Sequence, residues 1–393
     1  MTGTDFVLNL PKNVRYIIKT LEDNGYTAYA VGGCVRDAVL GRVPNDWDIC
    51  TSARPEITKQ LFLHKKLVLS GLKHGTVGII MSGEVYETTT FRVEGEYKDH
   101  RRPDSVEFVE GVEGDLSRRD FTINAMAYSD TQGLIDLFGG RSDLEKGIIR
   151  CVGDPEKRFS EDALRILRAL RFAARFGFEV ENATKTAAIK LSPLLDAISA
   201  ERKTAELKGI LCVKDPCLVI EDFLPIFSRL FSVGEGELIK RSALLKNVPP
   251  VFALRLGILV RAEEILKNMK LSGAEMSVAI AAAQNVIKEP PQDLAGMRRM
   301  VMRLGDLCEP MLAVMGARCD VSFARTLLEH IRKNHLCCTV KELDITGREL
   351  ITLGFSGADI GGMLGILLDE VIEGKITNEK DILVKRALAL KQI

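Results

Sequence analysis

Three observations predict an α+β head followed by an all-helical extension. Short alternating apolar runs, punctuated by glycine, asparagine and proline, recur through the first 138 residues, the pattern of paired strands mixed with helices. From Ser160 onward nearly every segment carries apolar residues at helical spacing instead. At 393 residues the chain also exceeds one ordinary domain, so roughly two to four units are expected.

In chain order, Val14, Ile17, Ile18 and Leu21 mark a helix over Asn13–Asn24, with Gly25 at its C′ position. Thr27–Val31 reads as a strand, Val35–Leu40 as a short helix closed by Gly41, and Asp46–Cys50 as a second strand. Pro55–Phe62 is a helix with proline in its first turn. Val77–Met81 and Glu84–Phe91 form a hairpin around Ser82-Gly83. Arg92–Ser105 (RVEGEYKDHRRPDS) is polar and short of core residues, so a mobile loop is expected. Order returns at Val106–Val109, and a helix follows with Asp115 as N-cap and LSRRDFTINAMAY as its body. Leu134–Leu137 is a last strand before Gly139-Gly140. Ser160–Phe176 is one long helix ended by Gly177, and Ser199–Leu211, Ala274–Ile287 and Ile360–Glu373 are further helices. Pro290-Pro291 is the best break within the helical part.

Composition narrows the function. Apolar residues make up 46% and charged residues 27%, a soluble globular balance. Lys and Arg total 54, as do Asp and Glu, which excludes a globally basic protein; any nucleic-acid contact needs cations gathered on one face. MTGTDFVLNLPKN lacks the basic-then-apolar pattern of a signal peptide. No apolar stretch reaches the roughly 18 residues of a membrane span. The nine cysteines are scattered without a CxxC pair, which points to reduced thiols in the cytoplasm. His330, His335, Cys337 and Cys338 lie close together but match no zinc spacing.

The chemistry concentrates in Val31–Ile49, VGGCVRDAVLGRVPNDWDI. Gly32-Gly33 on a strand-to-helix turn suits a phosphate, and Arg36 could pair its oxygens or else bridge to Asp37 or Asp46. Asp46 and Asp48, two apart on a strand, would share a face, an arrangement suited to two metal ions gripping a nucleoside triphosphate. This stretch resembles the active-site signature of the class II tRNA nucleotidyltransferases and bacterial poly(A) polymerases, members of the polymerase β superfamily. Glu87 in VYETTTFR stands where that superfamily places a third carboxylate, although a salt-bridged strand residue would look the same. RRDFTINA (from Arg118) resembles the family's ribose- and phosphate-reading motif, implying that Arg119 contacts the nucleotide and Asp120 selects ribose. EDALRILRALRFAARFGF (from Glu161) resembles its base-recognition helix, against the plainer reading of a surface Glu161–Arg165 pair. SAERKTAEL (Ser199–Leu207) resembles its last motif, which supports that helix, and otherwise reads as an ordinary capped helix. The glycine-rich segment around Gly347, Gly354, Gly357 and Gly361-Gly362 resembles the short tail of one bacterial subgroup.

A carboxylate accepts hydrogen bonds and a guanidinium donates them. Cytosine and adenine both present an amine beside a ring-nitrogen acceptor, so Asp162 and Arg165 would satisfy either. Uracil and guanine present the reverse pattern and would leave unpaired groups, enough to reject an analogue by roughly 10⁴–10⁵. The loop Arg92–Ser105 would then switch the choice between C and A.

The resemblance implies addition of C, C and A to the 3′ end of tRNA from CTP and ATP. Asp46 and Asp48 would hold two Mg²⁺ ions; Gly33, Arg36 and Arg119 would hold the triphosphate, with Arg168 and Arg171 supplementing them. Boundaries are expected at 1–138 (head), 139–210 (neck), 211–290 (body) and 291–393 (tail), the last two binding tRNA. An A-adding enzyme and a poly(A) polymerase remain alternatives, a CC-adding enzyme ranks lower, and a tRNA-binding protein with an inactive head is opposed by the intact aspartates. A homodimer is left open.

Overall fold

The computed structural model describes residues 7–94 and 106–391. It divides into two compact units, 1–213 and 214–393.

The first unit is built on a seven-stranded sheet. Helix α1 (Lys12–Asp23) leads into β1 (Ala28–Val31), α2 (Gly33–Val39), β2 (Ile49–Thr51) and α3 (Pro55–Leu61). Strand β3 (Lys66–Val68), which the sequence did not suggest, precedes the hairpin β4 (Thr76–Met81) and β5 (Glu84–Thr90). Ser82 and Gly83 at its tip have φ of 52° and 85°, the positive pair that a tight two-residue hairpin turn requires. A separate ribbon pairs β6 (Arg92–Glu94) with β7 (Val106–Phe108), and α4 (Val112–Ser117) follows. Strands β8 (Met126–Ser129) and β9 (Gly133–Asp136) close the sheet in the order β3-β4-β5-β2-β1-β8-β9. Only the β2–β5 pairing is parallel among these, so the head is α+β as the sequence predicts. On one sheet face Tyr29 and Phe91 stack at 6.1 Å, and Val112 and Leu116 of α4 join their buried cluster.

Helix α5 (Gly140–Lys146) and the short pair β10 (Ile148–Ile149) and β11 (Glu179–Val180) bracket α6 (Pro155–Glu161) and α7 (Leu164–Phe176). Helices α8 (Asn182–Leu191) and α9 (Ala200–Leu211) complete the unit. Phe172 makes an edge contact with Phe121 at 5.8 Å, which seats α7 against the sheet-bearing part.

The second unit is helical throughout its described residues: α10 (Cys217–Asp222), α11 (Leu224–Phe231), α12 (Glu235–Ala243), α13 (Phe252–Leu259), α14 (Glu263–Asn268) and α15 (Gly273–Asn285), then α16 (Leu294–Leu304), α17 (Cys308–Met315), α18 (Ser322–Lys333), α19 (Gly347–Thr352), α20 (Ala358–Ile372) and α21 (Lys380–Lys391). Gly257 lets α13 meet α15 closely, since a Cβ there would stand 2.2 Å from the Ala279 carbonyl oxygen. Among the described residues no helix is long and apolar enough to cross a membrane.

Four expectations change. The strand at Asp46–Cys50 starts only at Ile49, after a bend at Asn45 and Asp46, although the Val31 amide still donates to the Asp48 carbonyl at 3.0 Å. The loop at Arg92–Ser105 begins as a strand; its remainder, 95–105, lies outside the described residues. LSRRDFTINAMAY is not a helix body: α4 ends at Ser117, and the chain passes through a short 3₁₀ turn (Thr122–Asn124) into β8. Tertiary pairing overrides helical spacing there, because Thr122 donates to the Arg150 carbonyl at 2.9 Å and Val152 to that of Asp120 at 3.2 Å. Finally, Ser160–Phe176 is two helices broken at Asp162, whose backbone is extended (φ −139°, ψ 103°). Its Oδ1 accepts the Leu164 amide at 3.0 Å, the local capping bond that makes aspartate favour helix starts over helix interiors.

Candidate active site

Asp46 and Glu87 each lie close enough to Asp48 to act on its charge. The parallel register pairs Ile49 with Thr88, both buried, so the preceding residues Asp48 and Glu87 are cross-strand neighbours on the exposed face. The Asp48 carboxyl is pushed up to about 6, first by desolvation and then by the charges of Asp46 and Glu87, against a smaller pull from Arg119. The residue as a whole remains exposed, so the desolvation comes from the surrounding chain and not from full enclosure. Among the described residues no three His, Cys, Asp or Glu side chains form a ready metal cage. Two or three crowded carboxylates with an all-oxygen donor set still fit a magnesium-type ion, which is commonly held by one or two carboxylates plus substrate phosphates.

Beside them a cavity of about 290 Å³ is lined by Arg118, Arg119, Asp120, Asp162, Leu164, Arg165, Arg168 and Arg202. Five arginines and two aspartates line it, and further carboxylates behind the wall pair with several of the arginines. Asp115, fully buried on α4, holds two of them: Arg118 at 2.7 Å and Arg119 at 3.0 Å. Burial raises the Asp115 pKa, but Arg119 and Arg118 outweigh that and hold it below the usual carboxylate range. Arg119 runs along the turn after β1, where a Cβ on Gly32 (φ +81°) would lie 2.8 Å from its Nη1. The sequence placed Asp115 at a helix N-cap and so missed this clamp.

Asp120 accepts from Asn124 Nδ2 at 3.1 Å and from Arg168 at 2.6 Å. Burial opposes its ionisation, yet Arg168, Asn124 and Arg165 pull its pKa down to about 2. Arg165 donates to Glu161 at 2.7 Å and to the carbonyls of Arg158 and Arg118, both at 3.2 Å. The Glu161–Arg165 pair is therefore present, but only 16% and 11% exposed, which removes the surface-helix reading. Asp162 receives Arg202 at 2.8 Å besides the Leu164 amide, leaving lone pairs on both oxygens for a base amine. Arg119 Nε and Arg202 Nη1 are buried donors with no partner. Such groups are costly unless a ligand satisfies them.

Three predicted contacts lie elsewhere. Arg36, expected on a phosphate, is only 5% exposed. Its guanidinium bonds Asn124 Oδ1 at 2.6 Å and Asp37 at 2.7 Å, and stands 5.3 and 5.0 Å from the rings of Phe172 and Phe176. The alternative bridge to Asp37 is the one observed, and burial against two aromatic rings is the physical reason. Arg171 leaves the cavity to pair with Glu206 on α9 and to stack on Phe172. Gly33 opens α2 and does not line the cavity. Arg202 and Glu206, taken from the sequence as ordinary helix charges, are bound to Asp162 and Arg171, so α9 buttresses α7 as the resemblance implies.

A mixed sheet carrying clustered carboxylates beside an arginine-lined cavity defines a nucleotidyltransferase with a polymerase head. Residues 28–150 match a family model described as "Poly A polymerase head domain". Residues 177–222 match "Probable RNA and SrmB- binding site of polymerase A", and residues 251–387 match the second domain of tRNA nucleotidyltransferase. A CCA-adding enzyme of Ligilactobacillus salivarius (strain UCC118) is 35% identical over 405 residues, covering 98% of each chain. The crystal structure of the Bacillus stearothermophilus CCA-adding enzyme in complex with CTP superposes with a TM-score of 0.75 at 31% identity, covering 96% of each chain. A tRNA nucleotidyltransferase complexed with a primer tRNA and an incoming ATP analog does so with a TM-score of 0.63 at 25% identity, over 82% of this chain and 100% of that one. The chain belongs to the family of CCA-adding enzymes.

Proposed function

We propose that the protein adds C, C and A to the 3′ end of tRNA from CTP and ATP, releasing pyrophosphate, with one cavity serving both nucleotides. The observation that carries this is the acceptor–donor pair of Asp162 and Arg165 on the wall of an arginine-lined cavity beside Asp46 and Asp48. Asp162 accepts the exocyclic amine of cytosine or adenine and Arg165 donates to the adjacent ring nitrogen. Arg202 and the Leu164 amide hold Asp162 in place, and Glu161 with two main-chain carbonyls holds Arg165. Arg119, anchored by Asp115, reaches from the cavity toward Asp48 and suits the triphosphate. Gly33 at the start of α2 and Arg168 are further candidates for nucleotide contact, and Asp120 for the ribose hydroxyls. Asp46 and Asp48, with Glu87 as a third carboxylate, would hold Mg²⁺, which when bound supplies positive charge against that developing on the leaving pyrophosphate.

The tRNA acceptor end is the proposed RNA partner, recognised more by shape and backbone than by sequence. We assign residues 1–138 to a catalytic head, 139–210 to a neck carrying base recognition, and 211–290 and 291–393 to an RNA-binding body and tail. The nine unpaired thiols fit a cytoplasmic setting.

Transcripts of tRNA ending before CCA, after C and after CC, supplied with CTP and ATP singly and together, test the reading. Completion of CCA on all three is expected. Addition of A to the CC end alone would make it an A-adding enzyme, and a long A tail on any RNA a poly(A) polymerase.

A further inference from the structure

Three guanidinium groups gather on the ring of Phe176, the last residue of α7. Those of Arg36, Arg42 and Arg175 stand 5.0, 5.1 and 5.5 Å from its centroid. Arg36 is buried and its donors are taken by Asp37 and Asn124. Arg42 and Arg175 are exposed, and neither has a carboxylate or hydrogen-bond partner for its side chain among the described residues. That is unusual in this unit, where Arg118, Arg119, Arg158, Arg165, Arg168, Arg171 and Arg202 all have carboxylate partners.

Stacking on an aromatic face orients a guanidinium while leaving its N–H groups at the edge, directed outward. Two exposed guanidinium groups held over one ring present N–H donors that can meet phosphate oxygens, with part of their side-chain freedom already lost before binding. Arg175 also lies close enough to Arg36 to lower its pKa, after the larger effect of burial and against the pull of Asp37. The patch also lies near the chemistry. Arg42 is four residues before Asp46, and Arg175 is ten residues after Arg165 on the same helix, about 15 Å along its axis.

We propose that Arg42 and Arg175, held over the Phe176 ring, form a clamp for the phosphodiester backbone of the RNA strand whose 3′ end is extended. This rests on the reading that RNA is the acceptor. The competing role is purely structural, with Arg175 complementing the C-terminal end of the α7 dipole and both arginines covering Phe176.

The test uses the full-length protein, a tRNA transcript lacking CCA, and saturating CTP and ATP over a series of KCl concentrations. In Arg42→Ala/Arg175→Ala the tRNA KM should rise about tenfold, and its log–log salt slope should flatten by about 1.5, since each phosphate contact contributes roughly 0.7–0.9. The KM for CTP, and kcat at saturating tRNA, should stay unchanged, and Arg42→Lys/Arg175→Lys should restore most of the salt slope. An unchanged tRNA KM and slope would overturn the clamp, as would a loss confined to kcat and melting temperature. Should the alanine pair fold poorly, Arg42→Gln and Arg175→Gln singly should each give about half the slope change; no change in either overturns the clamp. If the wild-type protein fails to extend the transcript, the proposed function falls, and anisotropy of labelled tRNA with the same variants still decides this inference.

Discussion

Asp115 touches no part of the cavity surface, yet two of the five lining arginines are fixed by its carboxylate. Asp115→Asn keeps the shape and removes the charge. It should raise the KM for CTP and ATP together, by tenfold or more on the order of a lost charge-assisted pair, without altering the preference for either. The melting temperature should also fall, because breaking a buried pair leaves uncompensated charge. Steady-state kinetics with both nucleotides checks the first effect and calorimetry the second. Asp120 makes the matching prediction about pH. Its folded pKa of about 2 is below the ordinary carboxylate value of 3.8, so its pairing with Arg168 stabilises the protein fully above that ordinary value. The contribution disappears as pH falls through about 2. With Arg168 about one-third exposed, it is on the order of 1–2 kcal/mol. Urea melts of wild type and Asp120→Asn should therefore differ at pH 6 and converge toward pH 2.

At the scale of elements, α2 and α7 are joined by Arg36, whose guanidinium sits against Phe172 and Phe176 and reaches Asn124 and, through it, Asp120. Arg36→Met keeps apolar bulk but strands Asp37 and Asn124, and should cost about 2–4 kcal/mol in urea unfolding. Retention of full stability would show that the clamp is dispensable. Most helices and the β4–β5 hairpin were legible because apolar spacing and turn residues are local signals. The break at Asp162 was not, since one aspartate in an otherwise helical run looks tolerable until its carboxylate is seen bonding the Leu164 amide. RRDFTINA misled for a related reason: its strand-like pairing partners, Arg150 to Val152, lie some thirty residues later. Arg36 shows the limit for sites, because spacing beside a glycine turn cannot tell a phosphate ligand from a buried clamp.

Over the whole chain, the order of an α+β head before helices followed from the switch in hydrophobic period, and the carboxylates proposed for catalysis from one stretch of sequence. The buried cations of the second unit were invisible in it. Arg255, 1% exposed, donates to the carbonyls of Val248 and Lys214, and Arg298 to those of Cys337, Val371 and Ile372. No local pattern separates such arginines from RNA-facing ones. On the proposed function the tasks in the first unit divide between Asp46 and Asp48 for the chemistry and the Asp162–Arg165 pair for the choice of nucleotide, without a template. The most direct test of that division is the incorporation ratio of CTP to UTP on a tRNA lacking CCA, for wild type and Asp162→Ala. Discrimination should fall by at least about a hundredfold in the variant, since the penalty for unpaired polar groups is removed, while loss of the capping bond costs about 1 kcal/mol of stability. A folded Asp162→Ala enzyme that still rejects UTP as strongly as wild type would contradict it.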